Sequence, residues 1–328
     1  MMLSRVAERL YWMMRYLERT ENMARLVNVH TLLLMDLPEK TEVDWFTLIR
    51  IVDAEAVFKA TSGDSDEIEI MQFMIADRSN LSSLMSSFAH VRENARTSLD
   101  FLPEEVWEQV NQTYMQLQAA LPALGSRHRR QAVLRGVMAG CQRIRGILDS
   151  NMSRDQAYDF IQMGKHIERA DMGSRTLEMT STLLSEERSD SLRRYEGIVW
   201  NNLLAALGAR QMYVRHKNPR IHGPDVLSFL TMNRHFPHSL RYSLLHINAC
   251  LGRLPDSKKL QAQGEQLLQA FERRDVATTP VKAIPAFMDH LQADLTNLHV
   301  AIAEQWFHPL LDFSQYQHQT SNTSINKP

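Results

Sequence analysis

Apolar residues recur at three- and four-residue steps from the start of the chain. Leu3, Val6, Leu10, Met13/Met14, Leu17, Ala24 and Val27 form the stripe of an amphipathic helix. The stripe continues through Leu32-Leu33-Leu34-Met35 and stops at Pro38, which cannot donate to the preceding turn. Together they predict a first helix of about thirty residues. Further helices are predicted near 44–61 and 68–76, and from a cap at Ser79 or Asn80 with Leu81, Leu84, Met85 and Phe88 on one face. Pro103 followed by Glu104-Glu105 opens another, with acids at the positive end of the helix dipole. After a break at 122–126 a basic helix carries Arg127, Arg129, Arg130, Arg135, Arg143 and Arg145. Ser153-Arg154-Asp155 opens a long helix through Leu184, a polar, hinge-like stretch covers 186–189, and helical pattern resumes over 192–214. The segment 216–224 reads as non-helical, because Asn218-Pro219 and Gly223-Pro224 favour turns. Shorter helices are predicted at 226–232, 239–252, 257–273 and 280–307. Residues 313–328 are polar and patternless, the signature of a disordered tail. No alternating run reads as a strand.

Composition agrees with an all-α, multi-helix bundle. In 328 residues there are only 12 Gly and 11 Pro, but 18 Met, a residue that favours helices and fills gaps between them. Lys+Arg 37 against Asp+Glu 38 leaves a net charge of -1, which argues against a nucleic-acid binder, whose affinity comes largely from cationic displacement of counterions. Two cysteines, Cys141 and Cys250, argue against a disulfide scaffold or a cysteine zinc site and point to a reducing cytosol. No segment has the ~18 apolar residues of a spanning helix, and the charges Arg5, Glu8, Arg9, Arg15, Glu18 and Arg19 separate the first helix from a signal peptide.

One pattern occurs twice. Residues 15–25 read RYLERTENMAR and residues 165–175 read KHIERADMGSR. The shared form is basic-aromatic-aliphatic-Glu-Arg, then an acid, then Arg. It suggests duplication of a helical unit, with a first half over 1–150 and a second over 151–312. In the first copy Glu21 occupies a place where the stripe calls for a core residue, Glu18 flanks it, and Arg25 lies four residues on. Asp171, Glu168 and Arg175 hold the same places in the second. A carboxylate removed from water needs a cationic partner, so two acid–Arg clusters facing each other across a pseudo-symmetric interface are expected. Three readings stay open. The pairs fix helix register; or Glu18, Glu21, Glu168 and Asp171 act as acid/base or cation-binding groups while Arg19, Arg25, Arg169 and Arg175 hold an anion; or, a poorer fit, the acids belong to a di-metal bundle, which wants Glu-x-x-His.

The motifs resemble the alpha-E family, a bacterial all-helical domain named for its Glu-Arg motif. The segments that carry the likeness are MLSRVAERLYWMMRYLERTENMARL at 2–26, SNLSSLMSSFAHVRENARTSLDFLPEEVWEQVN at 79–111, SRDQAYDFIQMGKHIERADMGSR at 153–175 and VLSFLTMNRHFPHSLRYSL at 226–244. Met14, the stretch 171–173 and His238 depart from the usual family residues. The resemblance implies association with circularly permuted ATP-grasp ligases, often with transglutaminase-like peptidases, and a role in peptide or amide-bond modification. No glycine-rich phosphate loop of either common type is present, so no cofactor is expected on this chain. The expected role is a helical partner subunit; the alternatives are an enzyme in its own right and a structural scaffold.

Arg92-Glu93-Asn94-Ala95-Arg96 places two guanidiniums one turn apart, able to grip an anion with Asn94 as an amide donor, or to form a solvated ladder. The basic helix lacks interleaved aromatics for base stacking and reads as a solvated or protein-docking face. The histidines after residue 216 show no metal spacing, and Ser239 reads as a helix cap.

Overall fold

The first apolar stripe folds as one helix, α1 (Ser4–Asp36), in a computed structural model that describes residues 4–307 except 39–40, 42, 62–65, 186–191, 193, 218–219, 275 and 277. The tail at 313–328 and the polar stretch at 186–189 lie outside the described residues. Thirteen further α-helices follow among the described residues, with no strand: α2 (Thr47–Ile51), α3 (Glu55–Thr61), α4 (Glu67–Ile75), α5 (Leu84–Arg96), α6 (Glu104–Ala120), α7 (Arg127–Asn151), α8 (Gln156–Ser185), α9 (Glu196–Ala206), α10 (Arg210–His216), α11 (Gly223–Met232), α12 (Leu240–Arg253), α13 (Lys258–Glu272) and α14 (Ile284–Trp306). The fold is all-α, as the composition indicates.

Two predicted helices are divided. The segment near 44–61 breaks between α2 and α3 because Asp53 takes a left-handed backbone, φ 53°. The one over 192–214 breaks at Gly208, φ 61°, where the missing side chain removes the steric cost. The cap of α5 is neither Ser79 nor Asn80 but Ser83, whose hydroxyl accepts the Ser86 amide at 3.2 Å. Asn80 instead ties the preceding turn, donating to the Phe73 carbonyl and accepting from the Ser82 amide. Ser239 caps α12 as expected, accepting the Tyr242 amide at 3.1 Å.

Helices α1 and α8 form the centre. Both bury residues around most of their circumference, as helices surrounded by neighbours do. Around α1, helices α5, α6 and α7 pack in sequence and close back on it; around α8, helices α12, α13 and α14 do the same. A single apolar cluster runs through both groups. Tyr11 meets Gly164, Arg15 meets Glu168, and the distal residues Leu33, Leu34, Leu183 and Leu184 share a smaller apolar cluster. The two central helices therefore run in the same direction.

Their close approach depends on Gly164. A β-carbon there would overlap the Tyr11 backbone carbonyl, and backbone cannot swing aside as a flexible side chain can. Gly164→Ala is expected to lower stability by about 1–3 kcal/mol, an overpacking cost larger than the helix-propensity gain of about 1 kcal/mol. Urea unfolding checks this; a midpoint at or above wild type would show that the contact yields freely.

Candidate functional site

The two Glu-Arg pairs meet at the α1–α8 contact, each pairing with the other. Glu18 accepts from Arg169 in bidentate fashion, Nε to Oε2 at 2.8 Å and Nη2 to Oε1 at 3.1 Å. Glu168 accepts from Arg19, Nε to Oε1 at 2.6 Å and Nη2 to Oε2 at 3.2 Å. A second guanidinium serves each acid: Arg145 of α7 donates to Glu18 at 2.8 Å, and Arg15 of α1 donates to Glu168 at 2.8 Å. The two carboxylates are 1% and 0% exposed, so these are charges placed inside the core and matched there.

The electrostatics follow. Burial alone would raise the Glu18 carboxyl, but Arg145 and Arg169 outweigh it and hold it well below the usual carboxylate range. Burial likewise opposes ionisation of Glu168, and Arg19 and Arg15 reverse that effect. Arg15 also lies over the Trp12 ring, 4.9 Å from its centroid, a cation–π contact that helps hold a desolvated guanidinium.

The outer acids make local pairs at the predicted spacing. Glu21 pairs with Arg25 and also with Arg145. Asp171 accepts from Arg175 Nε at 3.2 Å. The structure thus gathers Glu18, Glu21, Glu168, Asp171, Arg19, Arg25, Arg169 and Arg175 into one region. Among the described residues no group of three or more His, Cys, Asp or Glu converges as a metal site.

A cavity of about 210 Å³ opens on one side of this region. Its charged lining is Arg15, Arg19, Arg175, Asp53 and Asp171, with His299 beside them. Arg25 and Arg169, expected to act with Arg19 and Arg175, are not in that lining; they are engaged by Glu21 and Glu18. Arg92, Asn94 and Arg96 are also absent from it. Arg92 donates to Asn111 and lies over Trp107 and Tyr114, while Arg96 forms an exposed pair with Glu93.

Three participants went unrecognised in the sequence. Arg15 was visible as the counterpart of Lys165 but had no assigned acid. Arg145 belonged to a helix read as solvated, yet its side chain is only 12% exposed and bridges Glu18 and Glu21. Asp53 gave no signal, because its approach to the cavity depends on the left-handed break between α2 and α3.

The family comparison agrees with the helical fold and the Glu-Arg motif. The chain belongs to the Alpha-E family, described as a predicted alpha-helical domain with a conserved ER motif, whose model matches residues 2–307. The protein is similar to the uncharacterized protein Mb2597 of Mycobacterium bovis and the uncharacterized protein MT2643 of Mycobacterium tuberculosis, 24% identical to each over 317 residues. The match takes in 91% of this chain but spans only 35% of each relative's length. No solved structure matches the chain.

Proposed function

We propose that the protein is a helical partner subunit of an ATP-grasp ligase system for peptide or amide-bond modification, and that it holds an anionic group of the substrate in the cavity beside the exchanged Glu-Arg pairs. The observation that carries the binding half is a set of unspent donors. Arg19 commits Nε and Nη2 to Glu168, and Arg175 commits only Nε to Asp171. Among the described residues Arg19 Nη1 and both terminal nitrogens of Arg175 make no hydrogen bond. Guanidinium N–H groups fixed in a sheltered site suit a carboxylate or phosphate. Glu168 and Asp171 orient the two forks.

The ligase half rests on the family resemblance, which implies a transglutaminase-like protein as a second partner. It gains support from chemistry, since a ligase that activates a carboxyl group needs that group held. The relatives also carry this region within much longer chains, as suits a unit that works beside another activity. Acid/base catalysis by Glu18 or Glu168 is the weaker reading. Carboxyls held ionised by paired guanidiniums have no proton to give near neutral pH and accept one poorly.

Affinity-tagged protein is expected to retain an ATP-grasp ligase from cells of its source, and to raise that ligase's turnover of a carboxyl-bearing peptide. Arg175→Ala is expected to lower that stimulation about tenfold, equivalent to about 1.4 kcal/mol, within the range for a hydrogen bond to a charged group. The unfolding midpoint should change little, because Arg175 is partly exposed. Failure to retain a ligase would remove the partner reading; unchanged stimulation by the variant would remove the cavity from it.

A further inference from the structure

The cavity's free groups are of both signs. Asp53 lines the same cavity as the unspent donors of Arg19 and Arg175, and its carboxyl makes no hydrogen bond or ion pair among the described residues. Asp53 is also one of two non-glycine residues with a left-handed backbone among the described residues, φ 53°. A polar residue held in a sparsely populated conformation at a cavity wall is a recurrent feature of ligand sites. Burial raises its carboxyl against the opposing pull of Arg175. Met23, Val52, Val57, Ile167 and Leu295 give part of the wall an apolar surface, and Ser79, Asn80, Ser82 and Thr296 line it as well.

The volume limits what can enter. At about 210 Å³ the cavity is below the roughly 300–1,000 Å³ of sites that enclose a drug-sized molecule. It suits one compact group with a short apolar portion. An anion alone would use the guanidiniums and stand near the Asp53 carboxyl, a repulsive arrangement in a sheltered site. A compact molecule that carries both a positive and a negative group offers a partner to each sign.

We propose that this cavity binds a free α-amino acid with a small or apolar side chain, its carboxylate on Arg19 and Arg175 and its ammonium on Asp53. The proposal rests on reading the cavity as an anion site and adds the second charge. Asp171 is already committed to Arg175, which leaves Asp53 as the ammonium's partner. Met23, Ile167 and Leu295 then receive the side chain.

Calorimetric titration of the full chain with L-alanine, L-leucine, N-acetyl-L-leucine and L-leucine amide tests it. L-Alanine or L-leucine should bind, and the two blocked compounds at least tenfold more weakly than L-leucine. Asp53→Asn should lower affinity for L-leucine at least tenfold and leave the weak binding of N-acetyl-L-leucine unchanged. Asparagine tolerates a left-handed backbone as well as aspartate does, so the unfolding midpoint should stay in place. Equal binding of L-leucine and N-acetyl-L-leucine, unaffected by Asp53→Asn, would overturn the amino-acid proposal and leave a simple anion site. Absence of binding by all four compounds would overturn both.

Discussion

Glu168→Ala is expected to destabilise the protein by about 3–5 kcal/mol, the cost of leaving buried charges without their partner. The carboxylate is fully buried and receives Arg15 and Arg19 together. Without it, Arg15, whose side chain is 8% exposed, retains the Trp12 ring, and Arg19 retains the face of Tyr16. A cation–π contact contributes about 0.5–2 kcal/mol, too little to offset the desolvation of two guanidiniums. Glu18→Ala should cost less, because Arg145 keeps Glu21 and Arg169 keeps the Pro237 carbonyl. The order of the two effects is therefore a prediction in itself. Adding Arg15→Met and Arg19→Met to Glu168→Ala should recover much of the loss, since replacing a whole buried ion cluster by apolar side chains is often neutral. Urea unfolding at pH 7 measures all three. A Glu168→Ala variant within ~0.5 kcal/mol of wild type, the range of an ordinary surface change, would mean that the cluster is hydrated.

The charges that sit in core positions were legible because they interrupt a stripe. Glu21 falls where an apolar residue belongs and is buried there, whereas Asp171 holds the matching place in α8 half-buried on the cavity wall. The sequence brought the two clusters face to face but gave each acid a partner in its own copy; the exchange of Glu18 to Arg169 and of Glu168 to Arg19 depends on how α1 packs along α8. What escaped the sequence required contacts between distant elements. Arg145 adjoins the apolar row Cys141, Ile144 and Leu148, yet its acid lies on α1, and nothing local in a run of arginines marks Arg130 and Arg145 as the ones that turn inward. The cap of α5 was ambiguous because 79–83 reads Ser-Asn-Leu-Ser-Ser. Several of these residues cap well, and the choice falls to the Phe73 carbonyl that engages Asn80. The break at Asp53 was invisible since apolar positions on either side continue a helical period; packing of two short helices overrides it. The same break supplies the residue that gives the cavity its second sign.

Acid should unfold this protein in two stages, beginning well above the carboxylate range. His30, His166 and His299 are each less than 10% exposed. Burial lowers all three, His299 to about 3. For His166 the nearby charges of Arg169, Lys165 and His246 add to the effect of burial. A histidine with a depressed folded pKa stays neutral in the native state while the unfolded chain takes up a proton below about pH 6.5. Stability from these groups is thus complete above that value and is lost as pH falls toward the folded pKa. Each fully neutral histidine contributes a slope of about 1.4 kcal/mol per pH unit, so three give at most about 4 kcal/mol per unit. Against a total stability of ~5–15 kcal/mol, that slope would take about one to four pH units to unfold the chain. Glu18 and Glu168 act in the same direction but later, because their pKa values are depressed and the unfolded carboxyls take up protons only near pH 4.3. Unfolding midpoints recorded between pH 8 and pH 4 should therefore bend downward near pH 6.5 and steepen again below about 4.5. His166→Phe isolates one contribution. Its Nδ1 is buried without a hydrogen-bond partner, so an apolar ring of similar shape is accommodated among Tyr242 and His246. The variant should match or exceed wild-type stability at pH 7 and lose about 1.4 kcal/mol per pH unit less below pH 6.5. Parallel acid limbs for the two proteins would show that His166 takes up its proton in the folded state and that water reaches the ring.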